Sequence, residues 1–146
     1  MSEDANALAV MLFSEILTAD QLLRNKLGRV LPKGMELSHF SVLNHLAGKS
    51  SERTPAQLAK SFHLTRGAMT NTLGKLERAG YIHIRPDWDD ARRKQVAISP
   101  SGRAARDAAL LEMGPVISEI VDALGSEKLR AALPFLRDLR LMLEKA

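Results

Sequence analysis

The chain has 146 residues, which is the length of one ordinary domain and enough to bury a substantial hydrophobic core. Its hydrophobic fraction of 45% and charged fraction of 26% are typical of a globular protein and exclude a disordered one. The absence of cysteine excludes a disulfide framework, a thiolate zinc site and a cysteine-based redox switch.

The formal net charge of +4 is concentrated in the middle of the chain. Residues 60–106 hold ten Lys and Arg against four Asp and Glu, whereas residues 1–59 are balanced and residues 107–146 carry a net charge of −2. A basic block between neutral and acidic flanks is typical of a surface that binds a polyanion. A solvated charged surface has the same composition, so charge alone leaves both interpretations open.

The beginning of the sequence is acidic and does not have the pattern of a basic leader peptide. Its longest apolar run, Ala7 to Phe13, is far shorter than the roughly 20 residues needed to span a bilayer. We therefore expect a cytoplasmic protein with no membrane partner.

Apolar spacing and capping residues predict four helices in the first part of the chain. They cover residues 4–31, residues 37–48, a short stretch after Thr54, and residues 66–78. Thr54 and Gln57 form the pattern of a capping box with Pro55 in the first turn, and Thr65 caps the next helix. Two short helices separated by about three residues are typical of a helix-turn-helix.

The next segment has the period of β-strands. Apolar and polar residues alternate over residues 81–85 and again over residues 95–99, which predicts a hairpin. The loop between the strands is charged and ends in the basic cluster Arg92, Arg93 and Lys94. Helical patterns return over residues 99–124 and 127–144. The predicted fold is mainly α with a short β-hairpin wing, a winged helix-turn-helix flanked by long helices.

In a winged helix-turn-helix, the second short helix enters the major groove of DNA. The outward positions of this helix are Thr65, Arg66, Gly67, Thr70, Asn71, Gly74 and Lys75. Arg66 can pair with guanine and Asn71 with adenine, which are the usual geometrical partners. Thr65, Thr70 and Lys75 suit phosphate contacts, which position a protein without reading sequence.

Two glycines in the predicted recognition helix need an explanation. Gly67 and Gly74 should each cost roughly 1 kcal/mol relative to alanine. Close approach of the backbone to DNA and tight packing against a neighbouring helix are the two explanations that we consider.

The tip of the wing supplies a second set of candidate contacts. Arg92, Arg93 and Lys94 are expected to bind DNA, and an arginine at this position can enter the minor groove. Asp90 is expected to orient an arginine through a charge-assisted hydrogen bond, since a carboxylate would repel phosphate. For Trp88 we prefer packing on the hairpin over stacking on a base.

Three stretches have a pattern that we associate with one family. They are Leu76-Glu77-Arg78-Ala79-Gly80-Tyr81-Ile82, Asp90-Ala91-Arg92-Arg93-Lys94 and Val96-Ala97-Ile98-Ser99-Pro100-Ser101-Gly102. With these stretches, the run from Leu64 to Gly102 resembles the MarR family of bacterial transcriptional regulators. The helix that contains Leu37-Ser38-His39-Phe40-Ser41-Val42-Leu43 and the long terminal helices agree with it, so the resemblance covers nearly the whole chain.

The resemblance implies a single MarR-like domain over residues 1–146. Residues 1–34 and 100–146 would be dimerisation helices, and residues 35–99 the DNA-binding part. The family's usual function would be that of a homodimer, associated with the nucleoid, that binds a pseudo-palindromic operator and represses nearby genes. The apolar stripes of the terminal helices support a dimer independently, because one small winged helix cannot bury them all.

The resemblance also implies a small, often aromatic, anionic effector that weakens DNA binding. Five basic residues are considered for its pocket: Arg24, Lys26, Arg29, His39 and His45. A solvated or structural role explains each of them better. The ligand-binding residues are therefore unknown, and no cofactor other than such an effector is expected.

Other functions are weaker. We expect no enzyme, because the sequence has no glycine-rich phosphate loop, no HExxH motif and no Ser/His/Asp signature. A metal-responsive regulator of the same fold is an alternative, but His39 and His45 lie about 120° apart on a helix, and we expect no metal site. A winged-helix module that binds proteins is another alternative, although it has no need for the basic wing.

Overall fold

The computed structural model describes residues 3–48, 52–90 and 92–145. These residues form α1 (Glu3–Val30), α2 (Leu37–Ala47), α3 (Pro55–Ser61), α4 (Arg66–Arg78), β1 (Ile82–Pro86), β2 (Lys94–Ile98), α5 (Pro100–Leu124) and α6 (Ser126–Glu144). The predicted fold class is confirmed. The chain divides into two compact units, Met1–Glu112 and Met113–Ala146, and the single-domain organisation with its DNA-binding part at residues 35–99 stays a prediction.

Local hydrogen bonds begin and end the two helices of the helix-turn-helix. The Thr54 hydroxyl accepts from the Gln57 backbone N–H at 3.1 Å, and Gln57 Oε1 accepts from the Thr54 N–H at 2.9 Å. Thr65 caps α4 by accepting from the Ala68 N–H at 3.1 Å. Between the helices, His63 has a φ of 53°, and this left-handed residue allows the chain to turn. The predicted caps are therefore confirmed.

One hydrophobic core joins α2, α3, α4 and the hairpin. Its side chains are each at most 3% exposed: Val42, Leu43, Leu46, Leu58, Met69, Leu73, Leu76, Ile82 and Val96. Burial of a side chain of this size contributes about 1.5–3 kcal/mol. Met69, Leu73 and Leu76 follow the helical period and bury one face of α4, so the opposite face points to solvent.

The two strands form an antiparallel hairpin in which Ile82 pairs with Ile98. A residue from the loop before α3 extends this sheet. Arg53 donates its backbone N–H to the Val96 carbonyl at 3.2 Å and accepts from the Val96 N–H at 2.7 Å. Since Ile82 and Val96 are also buried, the base of the wing is fixed by both packing and hydrogen bonds.

The start of α5 is fixed to the chain that follows α4. Ser99 Oγ donates to the Gly80 carbonyl at 2.6 Å and accepts from the Gly102 N–H at 2.9 Å. The Ser99 N–H donates to the Tyr81 carbonyl at 2.9 Å. A methyl group added at Gly102 would lie 2.1 Å from that carbonyl oxygen, so no side chain fits at this position.

Neither α1 nor α6 buries any of its described residues. The large apolar side chains of α1 that are exposed are Leu8, Val10, Met11, Leu12, Phe13, Leu17, Leu22 and Leu23. Those of α6 are Leu129, Leu133, Phe135, Leu136, Leu141, Met142 and Leu143. Both helices therefore present apolar surface to solvent.

By length and composition, α1 could cross a membrane, with a mean hydropathy of 1.2. The longest uninterrupted apolar run, Ala7 to Phe13, had predicted that no segment is long enough to span a bilayer, and this finding differs from that prediction. An amphipathic helix that packs on another protein passes the same test. The ion pair between Asp20 and Arg24, at 3.0 Å, lies within α1 and would be costly in lipid.

We expect Gly102→Ala to destabilise the protein by about 3 kcal/mol, because the added methyl group collides with the Tyr81 carbonyl. Chemical denaturation measures this loss. Gly67→Ala is the matched control, since nothing lies within 4 Å of its added methyl group and alanine favours the helix. An unchanged unfolding midpoint for Gly102→Ala would contradict the geometry of this junction.

Candidate nucleic-acid interface

A cleft between the helix-turn-helix and the wing collects basic side chains from the middle of the chain. Its volume is about 430 Å³, and it is lined by Thr54, Pro55, Ala56, Arg66, Thr70, Arg92, Arg93 and Lys94. Half of these residues are cations and none is an acid. This surface, which we call the basic cleft, has the charge that attracts a polyanion.

The solvent-facing side of α4 carries the predicted recognition residues. All six of them are exposed: Thr65, Arg66, Gly67, Thr70, Asn71 and Lys75. Arg66 and Thr70 line the basic cleft, whereas the other four do not. Thr65 uses its hydroxyl oxygen to cap α4, which leaves the hydroxyl hydrogen available for donation.

Lys75 lines a different cavity, of about 220 Å³, together with His39, Arg78 and Tyr81. His39 Nδ1 accepts from the Glu36 backbone N–H at 3.1 Å. Burial lowers the pKa of His39 and therefore favours the neutral ring. With Nδ1 accepting, the proton of the neutral ring lies on Nε2, so the ring can donate one hydrogen bond.

Hydrogen bonds within the wing loop organise its tip. The Asp87 N–H donates to the Arg93 carbonyl at 3.0 Å, and the Arg93 N–H donates to the Asp90 carbonyl at 3.0 Å. The Asp87 carboxylate accepts from the Asp89 N–H at 2.9 Å and from Gln95 Nε2 at 3.0 Å. The bonds from Asp89 and Gln95 lower the pKa of Asp87, which keeps its carboxylate ionised. Ala91 lies outside the described residues.

Asp90 and Arg92 form a charge-assisted pair within the wing loop. Asp90 Oδ1 accepts from the Arg92 backbone N–H at 3.0 Å and from Arg92 Nε at 3.1 Å. The side-chain bond from Arg92 lowers the pKa of Asp90, with a smaller contribution from the backbone bond. The Arg92 side chain remains 91% exposed, so its guanidinium is oriented without being withdrawn from solvent.

The two glycines of α4 have little contact with other parts of the chain. A methyl group added at Gly67 would meet nothing within 4 Å, and one added at Gly74 would meet only Arg78 Nη1 at an ordinary 3.6 Å. Tight packing within the described chain therefore explains neither glycine. The other explanation considered, close approach of the backbone to DNA, stays a prediction.

Trp88 does not pack on the hairpin as expected. Its ring is 87% exposed. The Arg85 guanidinium lies 5.4 Å from the ring centroid, at a distance typical of a cation–π contact. Apart from this contact the side chain stays in solvent, so the expectation that Trp88 packs on the hairpin is wrong.

Three residues of the basic cleft were missed by the sequence analysis. Thr54, Pro55 and Ala56 begin α3 and line the cleft beside the wing. Their capping pattern was visible, but it indicates only where a helix begins. Their place beside the wing depends on the bridge between Arg53 and Val96, which joins residues far apart in sequence.

Within the described residues, no group of three His, Asp or Glu side chains is arranged to hold a metal ion. His39 is hydrogen-bonded to Glu36, and the His45 ring packs edge-on against Phe62, with centroids 5.4 Å apart. The two histidines considered for a metal therefore contribute to the packing and capping of α2.

Comparisons with known proteins agree with this geometry. The family model described as MarR family matches residues 33–93, which contain α2, α3, α4, β1 and the wing loop. No curated protein matches the chain.

Three solved structures illustrate the likeness of fold. Sco5413, a MarR family transcriptional regulator from Streptomyces coelicolor, has a TM-score of 0.82 at 22% identity over 94% of this chain and 96% of that one. FabT from Streptococcus pneumoniae, solved in complex with DNA, has a TM-score of 0.66 at 22% identity over 98% and 97%. The PcaV transcriptional regulator from Streptomyces coelicolor, solved with its natural ligand, has a TM-score of 0.73 at 16% identity over 88% and 89%.

The family match and the likeness of fold agree with each other. The matched segment holds the helix-turn-helix and most of the wing, and the solved structures extend the likeness of fold to the terminal helices. MarR proteins are regulators of transcription and not enzymes. Residues 33–93 therefore match the MarR family, and the chain as a whole has the winged helix-turn-helix fold of solved MarR family regulators.

Proposed function

We propose that this chain is a sequence-specific DNA-binding regulator, active as a homodimeric repressor on a pseudo-palindromic operator in the cytoplasm, at the nucleoid. The observation that carries the proposal is the basic cleft, in which the exposed face of α4 and the wing cations lie side by side with no acid among them. FabT, a protein of similar fold, was solved on DNA.

The proposed mechanism assigns α4 to the major groove, which is wide enough for one helix. Arg66 and Asn71 read base edges, while Thr65, Thr70 and Lys75 bind phosphates and set the register of the helix. All five side chains are exposed on one helix, so they can reach the groove without a change of fold.

The wing completes this contact from the side. Arg92 enters the minor groove, oriented by its hydrogen bonds to Asp90, and Arg93 and Lys94 add phosphate contacts. Asp90 stays charged because its pKa is lowered by Arg92, so the pair persists at neutral pH. Gly67 allows the backbone of the first turn of α4 to approach the DNA closely.

The homodimer is supported by the apolar faces of α1 and α6. Patches of this size on a soluble protein seek a partner, and a second copy supplies the same faces. In this proposal, protein covers α1 and lipid does not. The two α4 helices of a dimer would lie about one DNA turn apart, roughly 34 Å, which matches an inverted repeat.

We include in the proposal a small aromatic anion that weakens DNA binding. PcaV, similar in fold, was solved with its natural ligand. The cavity beside Lys75 suits an anion, because Arg78 adds a second cation and His39 can donate a hydrogen bond. Since Lys75 is also a proposed phosphate contact, an anion bound there would compete with DNA for the same ammonium group.

Selection of bound DNA from a random pool, combined with light scattering, tests this function. We expect enrichment of an inverted repeat by a particle of twice the chain mass, and a loss of roughly a thousandfold in affinity between about 50 and 200 mM salt. Small aromatic acids added to the enriched complex then test release. Failure to enrich any sequence would contradict specific recognition and favour the protein-interaction alternative.

Zinc tests the metal-responsive alternative. In our proposal, zinc across a micromolar range leaves both the operator affinity and the melting temperature unchanged. A shift in either quantity would support the alternative.

Two substitutions should separate base reading from backbone binding. Asn71→Ala should cost roughly 1–3 kcal/mol on the enriched duplex and less on random DNA, because it removes a base contact. Arg92→Ala should weaken binding to both duplexes while the fold and the dimer stay intact. Gel-shift titration measures both effects. If Asn71→Ala loses the same affinity on both duplexes, Asn71 does not read bases. If Arg92→Ala binds DNA as tightly as wild type, the wing has no part in the mechanism.

Gly67→Ala should affect stability and DNA binding in opposite directions. Alanine should stabilise α4 by up to about 1 kcal/mol, whereas its methyl group should weaken DNA binding about tenfold by preventing close approach. Melting curves and gel shifts measure the two effects. Gly28→Ala, at another helical glycine with nothing within 4 Å, is the control that should leave DNA binding unchanged. Wild-type affinity for Gly67→Ala would contradict close approach at this residue.

A further inference from the structure

Trp88 is the single tryptophan of the chain, and the structure leaves its ring almost fully in water. Tryptophan is among the most apolar side chains and normally buries most of its surface while its N–H finds a partner. An 87% exposed ring at the tip of a wing therefore needs a reason outside the free molecule.

The ring of Trp88 contacts a residue that is itself held in place. The Arg85 guanidinium lies against the ring, with 5.4 Å between its central carbon and the ring centroid. Arg85 is in turn bound to Glu52 at 2.7 Å and donates to the Pro86 carbonyl at 3.0 Å. The guanidinium that the ring contacts is therefore itself held by two hydrogen bonds.

Trp88 lies in the same wing loop as Arg92 and Arg93. Asp87, which precedes Trp88, is hydrogen-bonded through its backbone N–H to the Arg93 carbonyl. The carboxylates of Asp87 and Asp90 accept hydrogen bonds from Gln95 and Arg92, which directs them into the loop. A polyanion drawn to the wing would consequently meet exposed cations and an exposed indole together.

We propose that Trp88 is a DNA-contacting residue whose indole packs on the deoxyribose–phosphate wall of the groove beside Arg92. Deoxyribose offers C–H groups to the apolar ring, and the indole N–H can donate to a phosphate oxygen. Sugar and phosphate are the same for every base, so this contact adds affinity without sequence preference. The inference rests on the proposed DNA-binding function and assigns a further contact to it.

The test compares wild type with Trp88→Ala and Trp88→Phe on two probes, the enriched duplex and a random duplex of about 30 base pairs, at about 50 mM salt. We expect Trp88→Ala to bind both duplexes about tenfold more weakly, a loss typical of one aromatic contact to nucleic acid. Trp88→Phe should retain most of the affinity, because the ring face is kept. The melting temperatures should match wild type, since the exposed ring contributes little to the core.

The fluorescence of the single tryptophan provides an independent measurement. Iodide should quench the free protein strongly, and a saturating amount of either duplex should protect the ring from iodide. Two results together would overturn the proposal: Trp88→Ala binds DNA as tightly as wild type, and iodide still quenches Trp88 of the wild-type protein in its complex with DNA. They would point to a protein partner for this tip.

The outcomes also separate this proposal from the one on which it rests. If Arg92→Ala loses affinity and Trp88→Ala does not, DNA binding stands and the role of Trp88 falls. If wild-type protein binds neither duplex, both proposals fail together.

Discussion

The junction around Ser99 is the constraint on which the rest of the site depends. One hydroxyl accepts from the Gly102 N–H and donates to the Gly80 carbonyl, so it joins the start of α5 to the end of α4. The absence of a side chain at Gly102 lets the α5 backbone approach the Tyr81 carbonyl. Because β1 begins immediately after Tyr81, this junction fixes where the wing leaves the helix-turn-helix and hence which side chains share the basic cleft.

The wing shows how acidic residues can serve a basic surface. Asp87 and Asp90 would weaken an anion-binding tip if their charges faced outward. Both instead accept hydrogen bonds inside the loop, and those bonds lower their pKa values, so they stay ionised as acceptors. Their cost to anion binding is offset because they order the loop and hold the 91% exposed Arg92 side chain in a defined orientation.

The parts of the structure that local chemistry determines could be predicted from the sequence, and the parts that depend on distant residues could not. The caps at Thr54 and Thr65 follow from neighbours three residues away, and the strands follow from alternation. The exposure of Trp88 depends on Arg85, whose support comes from Glu52, 33 residues earlier in the chain. Likewise, nothing in the spacing of α4 indicates that Lys75 lines a cavity with His39.

In the proposed function, a requirement of specificity links the exposed apolar faces of α1 and α6 to the exposed face of α4. One helix in a groove brings only three or four side chains to base edges, and each good contact discriminates by about 1–3 kcal/mol. A single copy can therefore separate its site only poorly from the many competing sites of a genome. Two copies on an inverted repeat double the discriminating free energy, and this requires a lasting association that the small winged helix cannot supply. In the proposed dimer, the apolar helices outside residues 35–99 would meet that requirement, and a second copy would cover the leucine side chains that one copy leaves exposed.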